Sequence, residues 1–314
     1  MILGIDIGGS QFGLVLATTD GKVVKRVQRS SDRDAGASLT IAHILSESRL
    51  LLAASPEPVS CCGIGFGGPV DFGQQRIINS THVKGWDDCP LPAQITQALG
   101  IPAVVDNDAN IGALGEFTFG AGIGCDNLVY FTISTGIGGG IIIHGEIYRG
   151  SDGNAGELGH CPILLDGPRC DCGNRGCLEA LCSGTAIGRR ARMAVDKHPR
   201  KGRVLLRLAG GDPVTAKTLF DAARQKDAFA QSLVVETCTY LGMGVATAMN
   251  AFAPRAIVIG GGVARAGRAL FDPLRREADR FLMPIHRPHL KIRPARLGGR
   301  SVLMGAVALA EKML

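Results

Sequence analysis

The sequence predicts an α/β fold built of two related halves. Two stretches follow the same pattern, in which an apolar strand runs into a turn of glycine and hydroxyl residues and a second strand returns from it. Further apolar strands alternate with segments of helical spacing along the rest of the chain. At 314 residues, the chain is long enough for about two domains. We therefore expect a duplicated fold in which each half carries one such turn.

The two glycine turns are predicted phosphate-binding sites. The first is Gly8-Gly9-Ser10, and the second runs from Ser134 to Gly140. Each turn aims backbone N–H groups and a hydroxyl at one point, which is the arrangement that binds phosphate. The flanking strands are predicted over residues 3–7, 12–17, 127–133 and 141–144.

The remaining elements of the first half follow from spacing, proline and glycine. The helix before Pro56 ends there because proline cannot continue it. In order, we expect a third strand from Val23, a helix over 39–54, a strand over 59–66, a loop-rich segment that includes 77–80 and Trp86, a helix ending at Leu99, a strand over 103–105 and a helix through Phe117.

The second half is predicted to be richer in helices. A strand over 256–259 opens into Gly260-Gly261-Gly262, where backbone without side chains could lie flat against an aromatic base. We place the domains at 1–119 and 120–297, with a C-terminal helix over 298–314 packing back on the first. The other expected elements are helices over 184–195, 215–224 and 228–252, a helix starting near Gly267, and an extended segment over 288–295. The last helix is expected to be amphipathic.

Two aspartates stand where strands end. Asp6 precedes the first glycine turn, where a carboxylate would repel a phosphate unless Mg²⁺ lay between them. The alternative for Asp6 is a turn-forming residue without a metal. Asp108 follows a strand and begins a helix, in the region where open α/β sheets bind ligands. It could simply cap the helix, but Asp106 or Asn107 could do so equally well, which leaves Asp108 available for chemistry.

A loop between Gly156 and Glu179 predicts a zinc site. It contains His160, Cys170, Cys172 and Cys177, the four ligands that a closed tetrahedral structural site requires. The loop has few apolar residues, so that a bound metal would contribute its folding energy directly. The alternative is ordinary loop cysteines in a reducing compartment. Acidic residues flank the ligands on both sides, and a zinc loop could hold their carboxylates in place.

Composition excludes several classes of protein. Hydrophobic residues make up 46% of the chain and charged residues 20%, which is ordinary for a globular protein. The longest apolar runs are interrupted well before the roughly 20 residues of a membrane span. The N-terminus lacks the pattern of a signal peptide, so that the ten cysteines are expected to be cytoplasmic thiols and metal ligands. The 44 glycines cluster after apolar runs, which suggests backbone turned toward ligands.

The net charge of +6 is mild, and much of the basic excess lies between Arg189 and Arg207. This run has no interleaved aromatic residues, which argues against a nucleic-acid surface. We expect it to be the solvated end of a helix.

The motifs GIDIGGS, NDAN, TGIGGG, GELGH, CDCGNRGCLE and VIGGGV occur in an order that resembles the ROK family of sugar kinases, repressors and related proteins. The resemblance covers nearly the whole chain, and the motif of histidine and cysteines is highly specific to that family. It implies an actin-like, ribonuclease H-like (ASKHA) fold of two domains with a ligand cleft between them. It also implies that the two hairpins and the Gly260 loop bind ATP, while the zinc loop shapes the sugar site.

The resemblance assigns roles to individual residues. Asp108 matches the catalytic base of the family. Asn107, Glu157, His160 and Glu179 match residues that contact the sugar, with His160 also a zinc ligand, whereas Gly68 and Thr81 align less securely with further sugar contacts. For the nucleotide and its Mg²⁺, the matching residues are Asp6, Gly8, Gly9, Ser10, Gln11, Thr135, Gly136, Gly260, Gly261 and Gly262.

The chain departs from common family sequences at three positions. Gln11 stands where many members have lysine, Ser10 replaces threonine, and Ser134 replaces the usual glycine before Thr135. These departures raise the alternative of weaker nucleotide binding or another phosphoryl donor. The winged helix of the family's repressors is not expected, because the sequence starts on the first ATP-loop strand.

These observations lead to one main hypothesis and two alternatives. We expect an ATP-dependent hexose kinase, with glucose phosphorylated at its 6-hydroxyl, Asp108 as general base, Mg²⁺ at Asp6 and structural Zn²⁺. The near alternative is a kinase for N-acetylglucosamine, N-acetylmannosamine or fructose. The distant alternative is a non-catalytic sugar sensor or transcriptional regulator. The resemblance further implies a homodimer or homotetramer. From composition and charge we expect a cytoplasmic protein that binds neither nucleic acid nor membrane.

Overall fold

The computed structural model describes residues 1–31, 36–80 and 83–314. Contacts divide the chain into two compact units. The first unit contains Met1–Gly124, Gly140–Gly156 and Arg296–Leu314, and the second contains Cys125–Gly139 and Glu157–Ala295. The predicted division into 1–119 with 298–314 and 120–297 differs mainly in residues 140–156, which the contacts group with the first unit.

The first part of the chain forms seven strands and three helices in the described residues. These are β1 (Ile2–Ile7), β2 (Gln11–Ala17), β3 (Val23–Ser30), α1 (Gly36–Ala53), β4 (Cys61–Phe66), β5 (Val70–Asp71), β6 (Arg76–Ile77), α2 (Leu91–Leu99), β7 (Ala103–Asn107) and α3 (Asp108–Phe119).

The rest of the chain adds five strands and seven helices. These are β8 (Leu128–Ile133), β9 (Ile137–Ile143), β10 (Glu146–Ile147), α4 (Leu178–Cys182), α5 (Gly184–Lys197), α6 (Arg203–Ala209), α7 (Ala216–Arg224), α8 (Ala228–Phe252), β11 (Ala256–Gly260), α9 (Arg268–Asp279), β12 (Ile292–Pro294) and α10 (Ser301–Glu311).

The first sheet has the order β3-β2-β1-β4-β7. Strands β3, β2 and β1 are antiparallel neighbours, whereas β1, β4 and β7 run parallel. The register pairs Ile7 with Phe66 and Phe66 with Asn107, so that the carboxyl ends of the three parallel strands lie side by side. This register positions the residues that follow each strand at one edge of the sheet.

The second sheet repeats this design. Its order is β10-β9-β8-β11-β12, again with a hairpin at the start and parallel strands β8, β11 and β12 at the other side. Thr132 pairs with Gly260, so that the turn after β8 and the glycine loop after β11 leave the sheet next to each other. The predicted duplication is confirmed by the matching strand order.

Helix α10 lies in the first unit and is buried on nearly every face, from Leu303 to Ala310. The prediction that this helix is amphipathic is therefore wrong, because the helix packs on the sheet through Leu303 and Val307 and also against α3. Glycines make this close approach possible. A Cβ on Gly63 would lie 1.9 Å from the carbonyl oxygen of Ala306, and one on Gly305 would lie 1.8 Å from that of Ile111. Some of the 44 glycines thus serve helix packing rather than ligand binding.

Several element predictions need correction. Gly138–Gly140 belong to strand β9 rather than to the turn, and Gly140 is required there because a Cβ would lie 2.5 Å from the carbonyl oxygen of Ala109. Helices α4 and α6 were not predicted. The segment expected to be extended over 288–295 begins with a 3₁₀ helix, Pro284–His289, before β12.

The basic run from Arg189 to Arg207 is less solvated than expected at its start. Arg189, Arg190 and Arg192 are half-buried, and their guanidinium groups donate to backbone carbonyl oxygens at 2.8–3.1 Å. These arginines therefore stabilise the packing of α5.

Helix α8 is the one described helix that is long and apolar enough to cross a membrane by length and composition. Just over half of its most apolar window, 56%, is buried inside the protein. That degree of burial is typical of a core helix.

Candidate active site

The edge of the first sheet brings several predicted site residues together. Asp6 is the penultimate residue of β1, and Asp108 is the first residue of α3, directly after β7. Gly67 lies between them, since a Cβ there would be 3.4 Å from Oδ2 of Asp108 and 3.7 Å from Cα of Gly8. The register of the parallel strands thus places Asp108, Asp6 and the first glycine turn at one location.

The cap of helix α3 is Asn107. Its Oδ1 accepts hydrogen bonds from the backbone N–H of Ala109 and Asn110 at 2.9 and 3.3 Å. Its Nδ2 donates to the carbonyl oxygen of Gly68 at 3.1 Å. Because Asn107 satisfies the first turn of the helix, the carboxylate of Asp108 is not required as a cap.

Two carboxyl groups at this edge influence each other. Burial and the nearby carboxylate of Asp108 raise the pKa of Asp6 to about 7, while Arg26 acts in the opposite direction. A cation between the two carboxylates would relieve both causes of this shift. The site therefore has the donor chemistry that suits a divalent cation with oxygen ligands.

The first glycine turn is closed by a hydrogen bond from the Gly8 N–H to the carbonyl oxygen of Gln11 at 2.9 Å. Ser10 is exposed, and its own carbonyl oxygen accepts from the N–H of Ser31. The amide of Gln11 is engaged by a neighbouring strand, because its Oε1 accepts from Nε2 of Gln28 at 2.7 Å.

The second turn is fastened to the glycine loop after β11. Oγ of Ser134 accepts a hydrogen bond from the N–H of Gly262 at 3.0 Å, and its carbonyl oxygen accepts from the N–H of Gly184 at 2.7 Å. The serine that replaces the glycine usual in the family therefore has a structural role. It ties three loops together beside Thr135.

Glu179 lies against this turn rather than standing apart from it. Its Oε2 accepts from the N–H of Ile137 at 2.7 Å, and a Cβ on Gly136 would lie 2.4 Å from the same oxygen. A glycine is required at position 136 for this contact. The predicted sugar-contacting carboxylate and the predicted phosphate turn are thus direct neighbours.

A cavity of about 740 Å³ opens beside the second turn, within the second unit. Thr135 and Gly262, two of the residues predicted to bind the nucleotide, line it. Gly260 and Gly261 instead pack on β8, because Cβ atoms there would lie 2.5 Å from Oη of Tyr130 and 2.3 Å from the carbonyl oxygen of Ile133. The sequence did not reveal the helical part of the lining, which includes Thr185, Gly188, Arg192, Thr215, Lys217, Phe220 and Arg224.

The predicted metal ligands His160, Cys170, Cys172 and Cys177 form one cluster, with all four ligand atoms within 4.8 Å of one another. Nδ1 of His160 is 3.6 Å from Sγ of Cys170, and the sulfurs of Cys172 and Cys177 are 3.7 Å apart. The turns at Gly173 and Gly176 have positive φ angles of 95° and 68°, which favour glycine.

These distances fit a tetrahedral metal. Zinc bonds of about 2.3 Å to sulfur and about 2.0 Å to nitrogen place neighbouring ligand atoms roughly 3.5–3.8 Å apart. The donor set, three thiols and one imidazole, is the one that structural zinc prefers over magnesium or calcium. The cluster therefore has the chemistry and spacing of a closed metal site.

The other predicted sugar contacts are less enclosed. Nε2 of His160 faces Glu157, with 3.7 Å to its Oε2, and the side chain of Glu157 is exposed. Gly68 lies beside Asn107 at the edge of the first sheet. Thr81 lies outside the described residues.

The chain is similar to known proteins over its whole length. The model of the ROK family matches residues 2–313. A glucokinase from Thermotoga maritima is 38% identical and aligns with 90% of this chain and 88% of its own. A xylose repressor from Caldicellulosiruptor bescii is 30% identical, with 98% of this chain and 77% of its own aligned.

The structure also matches solved structures of this kind. A ROK family glucokinase from Streptomyces griseus, in complex with glucose and AMPPNP, aligns with a TM-score of 0.85 and 35% identity over 99% of each chain. This match confirms the predicted actin-like, two-domain fold class. The chain belongs to the ROK family.

Proposed function

We propose that this protein is an ATP-dependent hexose kinase that converts glucose to glucose 6-phosphate. The observation that carries the proposal is the position of Asp108, a carboxylate relieved of helix capping by Asn107 and placed beside Asp6 and the first glycine turn. Full-length similarity to glucokinases supports the choice of reaction, and the glucose and AMPPNP bound by the Streptomyces griseus enzyme support both substrates.

In this proposal Asp108 accepts the proton of the sugar 6-hydroxyl while the oxygen of that hydroxyl attacks the γ-phosphorus of ATP in line. The bond from the γ-phosphorus to the bridging oxygen breaks, and ADP leaves. A carboxylate is a weak base, but it suffices because phosphoryl transfer is loose and the proton leaves late. The side chain of Asn107 hydrogen-bonds both the first turn of α3 and the carbonyl oxygen of Gly68, and these bonds orient the backbone next to the base. Most of the acceleration then comes from positioning.

Each unit offers one glycine turn for binding phosphate. In the first unit these are Ser10 and the N–H groups of the first turn, and in the second unit they are Thr135 and Gly136. The 740 Å³ cavity beside Thr135 and Gly262 has room for the nucleoside. Asp6 would hold Mg²⁺, whose charge neutralises the phosphates when it is bound. The side chain of Gln11 is held by Gln28, so that the choice of phosphoryl donor is not expected to depend on it.

The cluster of His160 and the three cysteines would hold a structural zinc. Binding through Nδ1 leaves the N–H of His160 on Nε2, the nitrogen that faces Glu157. That arrangement would orient both residues toward sugar hydroxyls. Zinc supplies cross-linking of the loop, since four protein ligands leave no open position for catalysis.

The alternatives differ in what supports them. Kinases for N-acetylglucosamine, N-acetylmannosamine or fructose could use the same base, but three relatives with 38%, 36% and 32% identity are glucokinases. A sugar-responsive regulator is supported by the similarity to xylose repressors, and the chain aligns with 77% of the length of the one from Caldicellulosiruptor bescii. A cytoplasmic homodimer or homotetramer is proposed from the family resemblance alone.

The test is ADP release with Mg-ATP across glucose, N-acetylglucosamine, N-acetylmannosamine and fructose. The proposal predicts strong release with glucose and a much lower kcat/KM for the other three sugars. Release with another sugar only would transfer the assignment to that sugar. Absence of release with every sugar, together with glucose-dependent DNA binding at low salt, would contradict the kinase and support the regulator.

A further inference from the structure

A buried carboxylate lies directly before the proposed base. Asp106 is in β7, and its side chain is only 2% exposed. Its Oδ1 accepts hydrogen bonds from the N–H of Asn107 at 2.7 Å and from Nδ2 of Asn110 at 3.1 Å. Asp106 therefore binds the chain on both sides of Asp108, at the residue before it and in the first turn of α3.

The other oxygen of Asp106 is held by Arg149. Nε and Nη2 of Arg149 donate to Oδ2 at 2.9 and 2.8 Å. The guanidinium also lies over the ring of Phe72, 3.6 Å from its centroid. Because each oxygen of Asp106 has its own set of donors, the ion pair leaves Oδ1 fully available to the turn that carries Asp108.

Arg149 has a second role through its backbone. Its carbonyl oxygen accepts from the N–H of Ala155 at 3.0 Å, which closes residues 149–155 into a loop. In sequence, this loop leads directly to Gly156 and Glu157. One residue thus anchors both the turn before Asp108 and the loop before a proposed sugar contact.

The charge of the pair matters for this geometry. Burial raises the pKa of Asp106, and Arg149 opposes that effect. A protonated carboxyl would turn one acceptor into a donor, and it could then no longer serve both sets of N–H groups. A buried ion pair is often no more stabilising than an apolar pair of the same shape, so that its presence here favours a role in geometry.

We propose that Arg149 is a positioning residue of the kinase, which holds the carboxylate of Asp108 in its reactive orientation through Asp106. This inference rests on the proposed function and adds a residue that the family motifs do not contain. The structure predicts that loss of Arg149 lowers kcat more than it changes the KM for ATP, because the 740 Å³ cavity and second turn proposed for the nucleotide involve neither Arg149 nor Asp106.

The experiment compares Arg149→Gln, Arg149→Lys and Asp106→Asn with the wild type, well below their thermal midpoints. We expect kcat to fall at least tenfold in Arg149→Gln, since a shift of about 1 Å at a reacting group can cost about 10²-fold. Arg149→Lys should recover part of the loss. The double variant Arg149→Gln/Asp106→Asn should be no slower than the slower single variant, because the two substitutions remove the same ion pair.

The matched control is Arg275→Gln. Arg275 is also paired with an aspartate, Asp272, lies over an aromatic ring and donates to a carbonyl oxygen, that of Ile292. None of these partners is a proposed site residue, so that the loss of Arg275 should leave kcat unchanged. A kcat of Arg149→Gln within twofold of the wild type would overturn the proposal.

Amide hydrogen exchange separates this inference from the proposed function. The N–H of Asn107 should exchange faster in Arg149→Gln than in the wild type, because its acceptor is no longer fixed. This readout does not need a sugar substrate. Unchanged exchange at Asn107 would refute the role of Arg149 even if the enzyme is a kinase, whereas faster exchange in a protein without kinase activity would refute only the proposed function.

Discussion

Glu116 offers a sharp test of how the first unit is held together. Its side chain is fully buried in α3, with no cation paired to it among the described residues. Four donors satisfy it instead. Oε2 accepts from the N–H of Ala121 and Arg296, both at 2.9 Å, and Oε1 accepts from the N–H of Leu297 at 3.0 Å and from Oγ of Ser301 at 2.7 Å. One carboxylate thus fastens the segments after α3 and before α10.

The variant Glu116→Gln keeps the shape and removes half of the acceptors. The amide NH₂ fits best at the position of Oε1, because the hydroxyl of Ser301 can rotate to accept from it. The N–H of Leu297 then faces another donor. A buried donor without an acceptor costs about 1–3 kcal/mol, and the remaining bonds lose the strength that a charged acceptor provides. We expect the free energy of unfolding to fall by roughly 2–4 kcal/mol, with a thermal midpoint lower by about 4–8 °C.

Chemical denaturation followed by circular dichroism measures this loss, with reversibility checked by dilution. Glu57→Gln is the control, because Glu57 is exposed and should change stability by less than about 0.5 kcal/mol. If Glu116→Gln were as stable as that control, the reasoning that four buried donors depend on this carboxylate would be wrong.

Three further predictions concern the metal loop, the acidic edge and the helix packing. Cys172→Ser should lose zinc, measured by elemental analysis, and glucose affinity, measured by calorimetry, whereas the control Cys161→Ser should keep both. Glucose binding by a zinc-free Cys172→Ser would contradict the coupling. Burial raises the pKa of Asp6 to about 7, so the stability lost by ionising this carboxyl in the folded state is absent below about pH 4, grows between about pH 4 and 7, and is complete above that range. Asp6→Asn should therefore match the wild type in stability at pH 4 and exceed it at pH 8, by up to about 4 kcal/mol, and an equal difference at both pH values would refute the shift. Gly305→Ala places a Cβ 1.8 Å from the carbonyl oxygen of Ile111 and should cost about 3 kcal/mol in denaturation experiments, so that an unchanged midpoint would show that the two helices separate freely.

The features that could be predicted from the sequence are those that depend on local order. The strands that end at Ile7 and Ile133 were recognisable because apolar runs stop at glycines. The metal cluster was recognisable because its four ligands lie within one short loop, from His160 to Cys177, which brings them together with little help from the rest of the fold. Its local turns, including Gly173 and Gly176, are likewise encoded by neighbouring residues.

The features that were missed depend on which distant segments pack together. Arg149 is 43 residues from Asp106, and the donors of Glu116 near Ser301 are about 180 residues from it along the chain. No local pattern indicates such pairs. The packing role of glycines in β4 and α10, such as Gly63, was not predicted for the same reason, since it is visible only when the helix lies on the sheet.

The central claim is that Asp108 is the base of a sugar kinase. The most direct measurement is the turnover of Asp108→Asn with Mg-ATP and glucose, compared with the wild type and with the exposed control Asp87→Asn, while calorimetry reports glucose affinity. We predict that kcat falls by about 10²-fold or more in Asp108→Asn, with the fold and glucose binding retained and with Asp87→Asn unaffected. Near-normal turnover of Asp108→Asn would contradict the assignment of the base, and with it the mechanism proposed for this site.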